Sequence, residues 1–138
     1  VNPGGISQAI RDAQASALSA GSTVHVIAGG CHTAAGAGAY RDAAADLLEE
    51  CSPTAIVLAS GTGATQGGMI AGVAGHRLEC EVIGISIARP AGRGTDSVRE
   101  AARWAGASDN VDITFLDEYR DGGYGLHGPE TDRAVKMG

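Results

Sequence analysis

Apolar residues follow two rhythms along this chain. Ile6, Ala9, Ile10, Ala13, Ala17 and Leu18 recur at three- and four-residue spacing, with Ser7, Gln8, Arg11, Asp12 and Gln14 between them and Gly21 where a helix would stop. An amphipathic helix is the reading. A second helix is expected over about 34–50, with Tyr40, Ala44, Leu47 and Leu48 on its inner side. Gly36 and Gly38 near its start cost helix stability, which points to close packing or a ligand beside the first turn. Further helices are expected over about 65–74, from a cap at Thr95 or Asp96 through Val98, Ala101, Ala102 and Trp104 to Gly106, and from Glu130 onward. Short apolar runs at 24–28, 55–59, 81–87 and 112–116 read as strands. The unbroken run at 55–59 suits a strand buried on both faces of a parallel sheet.

Strands alternating with helices predict a single α/β domain over 1–138: a Rossmann-like three-layer αβα arrangement with a mainly parallel sheet of about four strands, joined by right-handed crossovers. Ligands of such sheets gather beyond the carboxyl ends of the strands. The Gly29–Gly30 turn, the loop after residue 59 and the segment after Leu116 all fall at that edge.

The loop after 59 is the chemically suggestive one. It reads Ser60, Gly61, Thr62, Gly63, Ala64, Thr65, Gln66, Gly67, Gly68 between a strand and a helix. Glycines let the backbone approach a ligand, and the first amides of a helix have no partner within it, so an anion finds free donors and the positive end of the helix dipole. Thr62 and Thr65 add hydroxyls. The same residue types also serve merely to tighten and cap a turn. The spacing of Gly61, Gly63 and Gly67 matches neither G-x-G-x-x-G nor a P-loop.

Composition narrows the partners. A net charge of −6, with no dense group of Lys and Arg, argues against a nucleic-acid surface. Arg89, Arg93, Arg99 and Arg103, beside Asp96 and Glu100, read as a solvated helix face. Three cysteines, Cys31, Cys51 and Cys80, show no metal-binding spacing and read as reduced, mostly buried residues of a cytoplasmic protein. No membrane span and no metal site is expected, and His25, His32, His76 and His127 are scattered singly.

These segments together resemble one family, the fold-type II pyridoxal-phosphate enzymes of the D-cysteine desulfhydrase and 1-aminocyclopropane-1-carboxylate deaminase group. Gly29, Gly30, Gly36, Gly38 and Tyr40 resemble its glycine-rich entry to a helix, and Ser60 through Gly68 its phosphate-cup loop. Val82, Ile83, Gly84 and Ile85 are similar to the strand that follows, and Asp117, Glu118, Tyr119 with Gly123, Tyr124, Gly125, Leu126 to a segment carrying an active-site tyrosine. The resemblance implies part of a tryptophan-synthase-β-like large domain. It implies pyridoxal 5'-phosphate as cofactor, its phosphate held by Ser60, Gly61, Thr62, Gly63, Ala64 and Thr65, with Tyr124 as a catalytic residue on the substrate side of the ring. Small amino acids are the implied substrates, giving a 2-oxo acid and ammonia. The family's cofactor lysine lies in a region without a counterpart here, and the chain's only lysine, Lys136, does not match its motif. The expectation is therefore an internal fragment that keeps the phosphate cup without independent catalysis and forms a homodimer or other homo-oligomer through uncovered sheet edges. The alternatives are a non-catalytic module for a small phosphorylated ligand or a dinucleotide, and an oligomerising structural remnant.

Overall fold

The computed structural model describes residues 3–76, 79–120, 125–126 and 128–137. Five helices and three strands follow in the order α1 (Pro3–Ser19), α2 (Ala34–Glu50), β1 (Ala55–Ser60), α3 (Ala64–His76), β2 (Glu81–Ser86), α4 (Ala91–Trp104), β3 (Thr114–Leu116) and α5 (Pro129–Met137). The strands form a parallel sheet in the order β1-β2-β3, with Ala55 opposite Glu81 and Ile83 opposite Thr114. The α/β class and the parallel sheet agree with the alternation of the sequence, but the sheet has three strands rather than about four.

The missing strand is the run at 24–28. Its residues have strand character, yet none of the described residues pairs with them, and Val26 and Ile27 stay 44% and 70% exposed. A strand exists only through a neighbour's hydrogen bonds, and that neighbour is not provided here. β1 also departs from expectation. Its burial alternates, and Val57 is 65% exposed, so it is covered on one face and not on both.

The covered face is the work of α3 and α4. Leu58, Gly84 and Phe115 share a register row; Gly84 lies under Gln66 of α3, and Phe115 lies under Gly94 of α4. Consecutive right-handed crossovers place successive helices on the same side. The core accordingly gathers Leu48 of α2, Ile70 and Val73 of α3, Val82, Val98 of α4 and Phe115. The opposite face, with Val57, Ala59, Ile83 and Ile85, is left open, as one half of a three-layer arrangement.

Missing side chains let α3 sit this tightly. A Cβ on Gly67 would lie 2.6 Å from the Ala102 amide nitrogen of α4, and one on Gly68 would lie 2.4 Å from the Ala37 carbonyl oxygen of α2. Gly72 repeats the contact one turn on, with Ala44 and the Arg41 carbonyl against it. Gln66, wholly buried, donates to the Thr114 carbonyl (2.8 Å) and so ties α3 across the sheet to β3. That reach exists because Gly84 has no Cβ, which would stand 1.9 Å from Gln66 Oε1.

α2 is capped by Thr33, whose hydroxyl accepts from the Gly36 amide (3.1 Å). α4 starts about a turn earlier than Thr95 or Asp96 would set it, because its cap is remote: the Asp117 carboxylate after β3 accepts from the Ala91 amide (2.8 Å). α1 and α5 carry their apolar residues into solvent, Leu18 at 54% and Val135 at 76% exposure.

Replacing Gly68 with Ala is expected to destabilise the protein by about 2 kcal/mol or more, because the α2 backbone has to retreat. Gly75→Ala, in the same helix but with open space around it, is expected to be neutral or to stabilise by up to about 1 kcal/mol. Urea unfolding of the two variants checks the contrast; equal effects would contradict the packing argument.

Candidate functional site at the carboxyl edge of the sheet

The strand ends bring three loops together. Ser60 and Ser86 are register partners at the ends of β1 and β2, and the Ile87 amide donates to the Ser60 carbonyl (3.2 Å). Ser86 shapes the next loop by donating to the Arg89 carbonyl (2.7 Å) and accepting from the Ala88 amide (3.2 Å). Asp117, beyond β3, caps α4 and pairs with Arg120 (3.7 Å), which itself donates to the Ala88 carbonyl (3.3 Å). This edge is a fixed frame.

Within that frame the loop of Ser60, Gly61, Thr62 and Gly63 leads into α3 at Ala64 and Thr65. The first backbone bond there runs from the Gly67 amide to the Gly63 carbonyl (2.9 Å). The amides of Ala64, Thr65 and Gln66 therefore have no acceptor within the helix. Gly63 has φ +94°, a conformation that favours glycine, and a Cβ there would meet Val98 N at 2.9 Å on α4. Ser60 is 2% exposed, and its hydroxyl oxygen is buried without a hydrogen-bond partner. A buried hydroxyl left unpaired is costly, and this one has no partner within the described chain.

The Gly29–Gly30 turn, expected at this edge, does meet the loop, and further neighbours join it that the sequence did not single out. The Gly29–Cys31 turn crosses over it: Gly30, at φ +63°, has the Thr62 side chain against it, and the Thr62 hydroxyl donates to the Gly30 carbonyl at 3.5 Å. His32, next in the chain, binds Glu100 of α4 (3.2 Å) and stacks at a tilt on Trp104, with ring centroids 4.9 Å apart. Arg89 donates to the Ser97 hydroxyl, and the Ser97 backbone lies against Gly63, so a guanidinium stands close behind the loop. Glu100 and Trp104 are one helical turn apart, but nothing local announces that a histidine 68 residues earlier joins them.

Of the expected site residues, Ser60, Gly61, Thr62, Gly63, Ala64 and Thr65 are thus contiguous on one loop and helix start. Tyr124 and His127 lie outside the described residues. Cys31 and Cys51 are exposed and Cys80 is partly buried, which corrects the expectation of mostly buried thiols. Among the described residues no three His, Cys, Asp or Glu side chains are grouped to hold a metal ion, and no helix is long and apolar enough to cross a membrane.

No protein-family model matches the chain. Over 121 residues it is 28% identical to a protein named D-cysteine desulfhydrase from Klebsiella pneumoniae (strain 342). The chain resembles that protein. The match covers 82% of this chain and 37% of the relative, so the chain spans well under half of the relative's length.

Ser60→Ala is expected to leave the unliganded protein as stable as the parent or slightly more stable, since it removes a desolvated hydroxyl that has no partner. Thermal melting checks this; a clear loss of stability would show that the hydroxyl already has a bonding role in the free protein.

Proposed function

We propose that this chain is the phosphate-holding part of a pyridoxal-phosphate-dependent lyase or deaminase for small amino acids. The buried, unpartnered Ser60 hydroxyl beside the free first-turn amides of α3 carries the reading. These are the donors a phosphate monoester requires, and they lie on the segment that resembles the family's cup. The similarity to a protein named D-cysteine desulfhydrase supports the same family.

On this reading the amides of Gly61, Thr62 and Gly63, those of the first turn of α3, and the hydroxyls of Ser60 and Thr65 hold the phosphate. Gly63 lets the loop turn at positive φ against the α4 backbone, and the α3 dipole and Arg89 supply positive potential. The pyridoxal ring, when bound, supplies an electron sink for bonds at the amino-acid α-carbon. The chain's own residues bind and orient it. Lys136 stands in the last turn of α5, exposed throughout, so the reading is binding without a covalent link and without independent catalysis.

Titration with pyridoxal phosphate, read by absorbance and by Trp104 fluorescence, tests this. Trp104 reports because it stacks on His32, beside the turn that touches Thr62. Saturable binding is expected, with no adduct in the intact mass after borohydride reduction. Thr65→Val is expected to weaken binding about tenfold, the loss of one charge-assisted hydrogen bond. Pyridoxal without its phosphate is expected to bind far more weakly. Equal affinity for pyridoxal and its phosphate would overturn the reading.

A second reading, self-association, has its own observation: the open sheet face, where Val57 is 65% exposed among other apolar residues. A homodimer in light scattering is the expected outcome; a monomer at all working concentrations would remove it.

A further inference from the structure

We propose that His32 is a positioning residue of the phosphate-binding loop: by holding Glu100 and Trp104 of α4 it closes a bracket that keeps Thr62 and Gly63 in place from both sides. The role rests on the phosphate reading of that loop and adds to it a residue that touches no ligand.

The two arms of the bracket come from distant parts of the chain. On one side stands the 29–31 turn. A Cβ on Gly30 would lie 2.5 Å from Thr62 Oγ1, so the Thr62 side chain occupies the space that glycine leaves. On the other side stands α4. A Cβ on Gly63 would meet Val98 N at 2.9 Å and the Ser97 carbonyl carbon at 3.0 Å. Thr62 and Gly63, whose amides the phosphate reading uses, are therefore set between the turn and the helix, and their positions follow the spacing of those two.

The turn does not keep its shape unaided. Gly30 and Cys31 both lie in the left-handed region, at φ +63° and +49°, and for Cys31, which has a Cβ, that conformation is unfavourable. α2 braces one end of the turn: the Thr33 amide donates to the Cys31 carbonyl (2.7 Å), and Gly36 leaves that carbonyl room, since a Cβ there would overlap it. His32 braces the turn against α4. Its Nε2 pairs with Glu100 (3.2 Å), and its ring stacks at a tilt on Trp104 with centroids 4.9 Å apart. Nδ1 is buried with no partner among the described residues, so the contacts with Glu100 and Trp104 are what hold the ring. One side chain thus ties the arm over Thr62 to the arm behind Gly63.

The experiment is a double-mutant cycle on the full chain, read by pyridoxal-phosphate affinity and by amide NMR of each free protein. His32→Ala and Glu100→Ala are each expected to weaken binding about tenfold, and the double variant no further than either alone, because both break one contact. His32→Gln, which keeps a donor where Nε2 stands, is expected to bind within about twofold of the parent. Without ligand, the amides of residues 61–63 are expected to shift in both single variants while those of β2 stay still. Glu100 is half-exposed, so Glu100→Ala carries both readouts even where His32→Ala does not fold. Parent-like affinity in the single variants, additive losses, or no recovery in His32→Gln would each overturn the proposal. Failure of the parent to bind pyridoxal phosphate would remove the phosphate reading instead; the free-protein spectra then decide whether His32 positions the loop, and unmoved amides at 61–63 overturn it.

Discussion

Close approach of the backbone of α3 to its neighbours is the constraint on which the rest of this structure depends. Gly67 faces α4, and Gly68 and Gly72 face α2, at distances where any Cβ would collide with backbone atoms. Helices that touch at the backbone leave little freedom of rotation or slide. The helix is then tied to the sheet by one buried amide, Gln66, reaching over Gly84 to the β3 edge. What this fixes is the start of α3 at the carboxyl end of β1. The free amides of its first turn are held in place by the packing of small residues further along the helix.

The edge of the sheet carries the opposite economy. Its polar groups are only partly satisfied: Ser86 bonds the Arg89 carbonyl and the Ala88 amide, Asp117 bonds the Ala91 amide and Arg120, and the buried Ser60 hydroxyl has no partner. An unpaired buried hydroxyl costs about 1–3 kcal/mol. On the proposed reading, an anion-binding site bears such a cost before the anion arrives. The Gly29–Cys31 turn adds a second hold on the same loop, anchored at its other side by His32 on Glu100 and Trp104.

Much of this was legible in the residues. Periodicity placed α2 at its observed ends and β1 and β2 within a residue, because those segments owe their form to their own apolar pattern. The run at 24–28 failed the same test since a strand needs a partner, which no local pattern guarantees. The start of α4 failed because its cap comes from Asp117, 26 residues on, while the locally attractive Thr95 and Asp96 sit inside the helix. Site residues 60–65 were legible as a glycine-rich strand-to-helix turn. The Gly29–Gly30 turn was expected at the same edge, and Gly30 does meet Thr62; that Ser97 and His32 join from elsewhere in the chain was not legible. Gly67 and Gly68 read as part of a ligand loop, and their observed role, like that of Gly72 and Gly84, is steric.

The most direct test is amide NMR of the labelled chain during addition of pyridoxal phosphate. The account requires the amides of residues 61–66 to shift together, with one saturation curve, while those facing the open sheet side stay still. Shifts confined to other surfaces, with this loop unmoved, would contradict the claim that the start of α3 is a phosphate site.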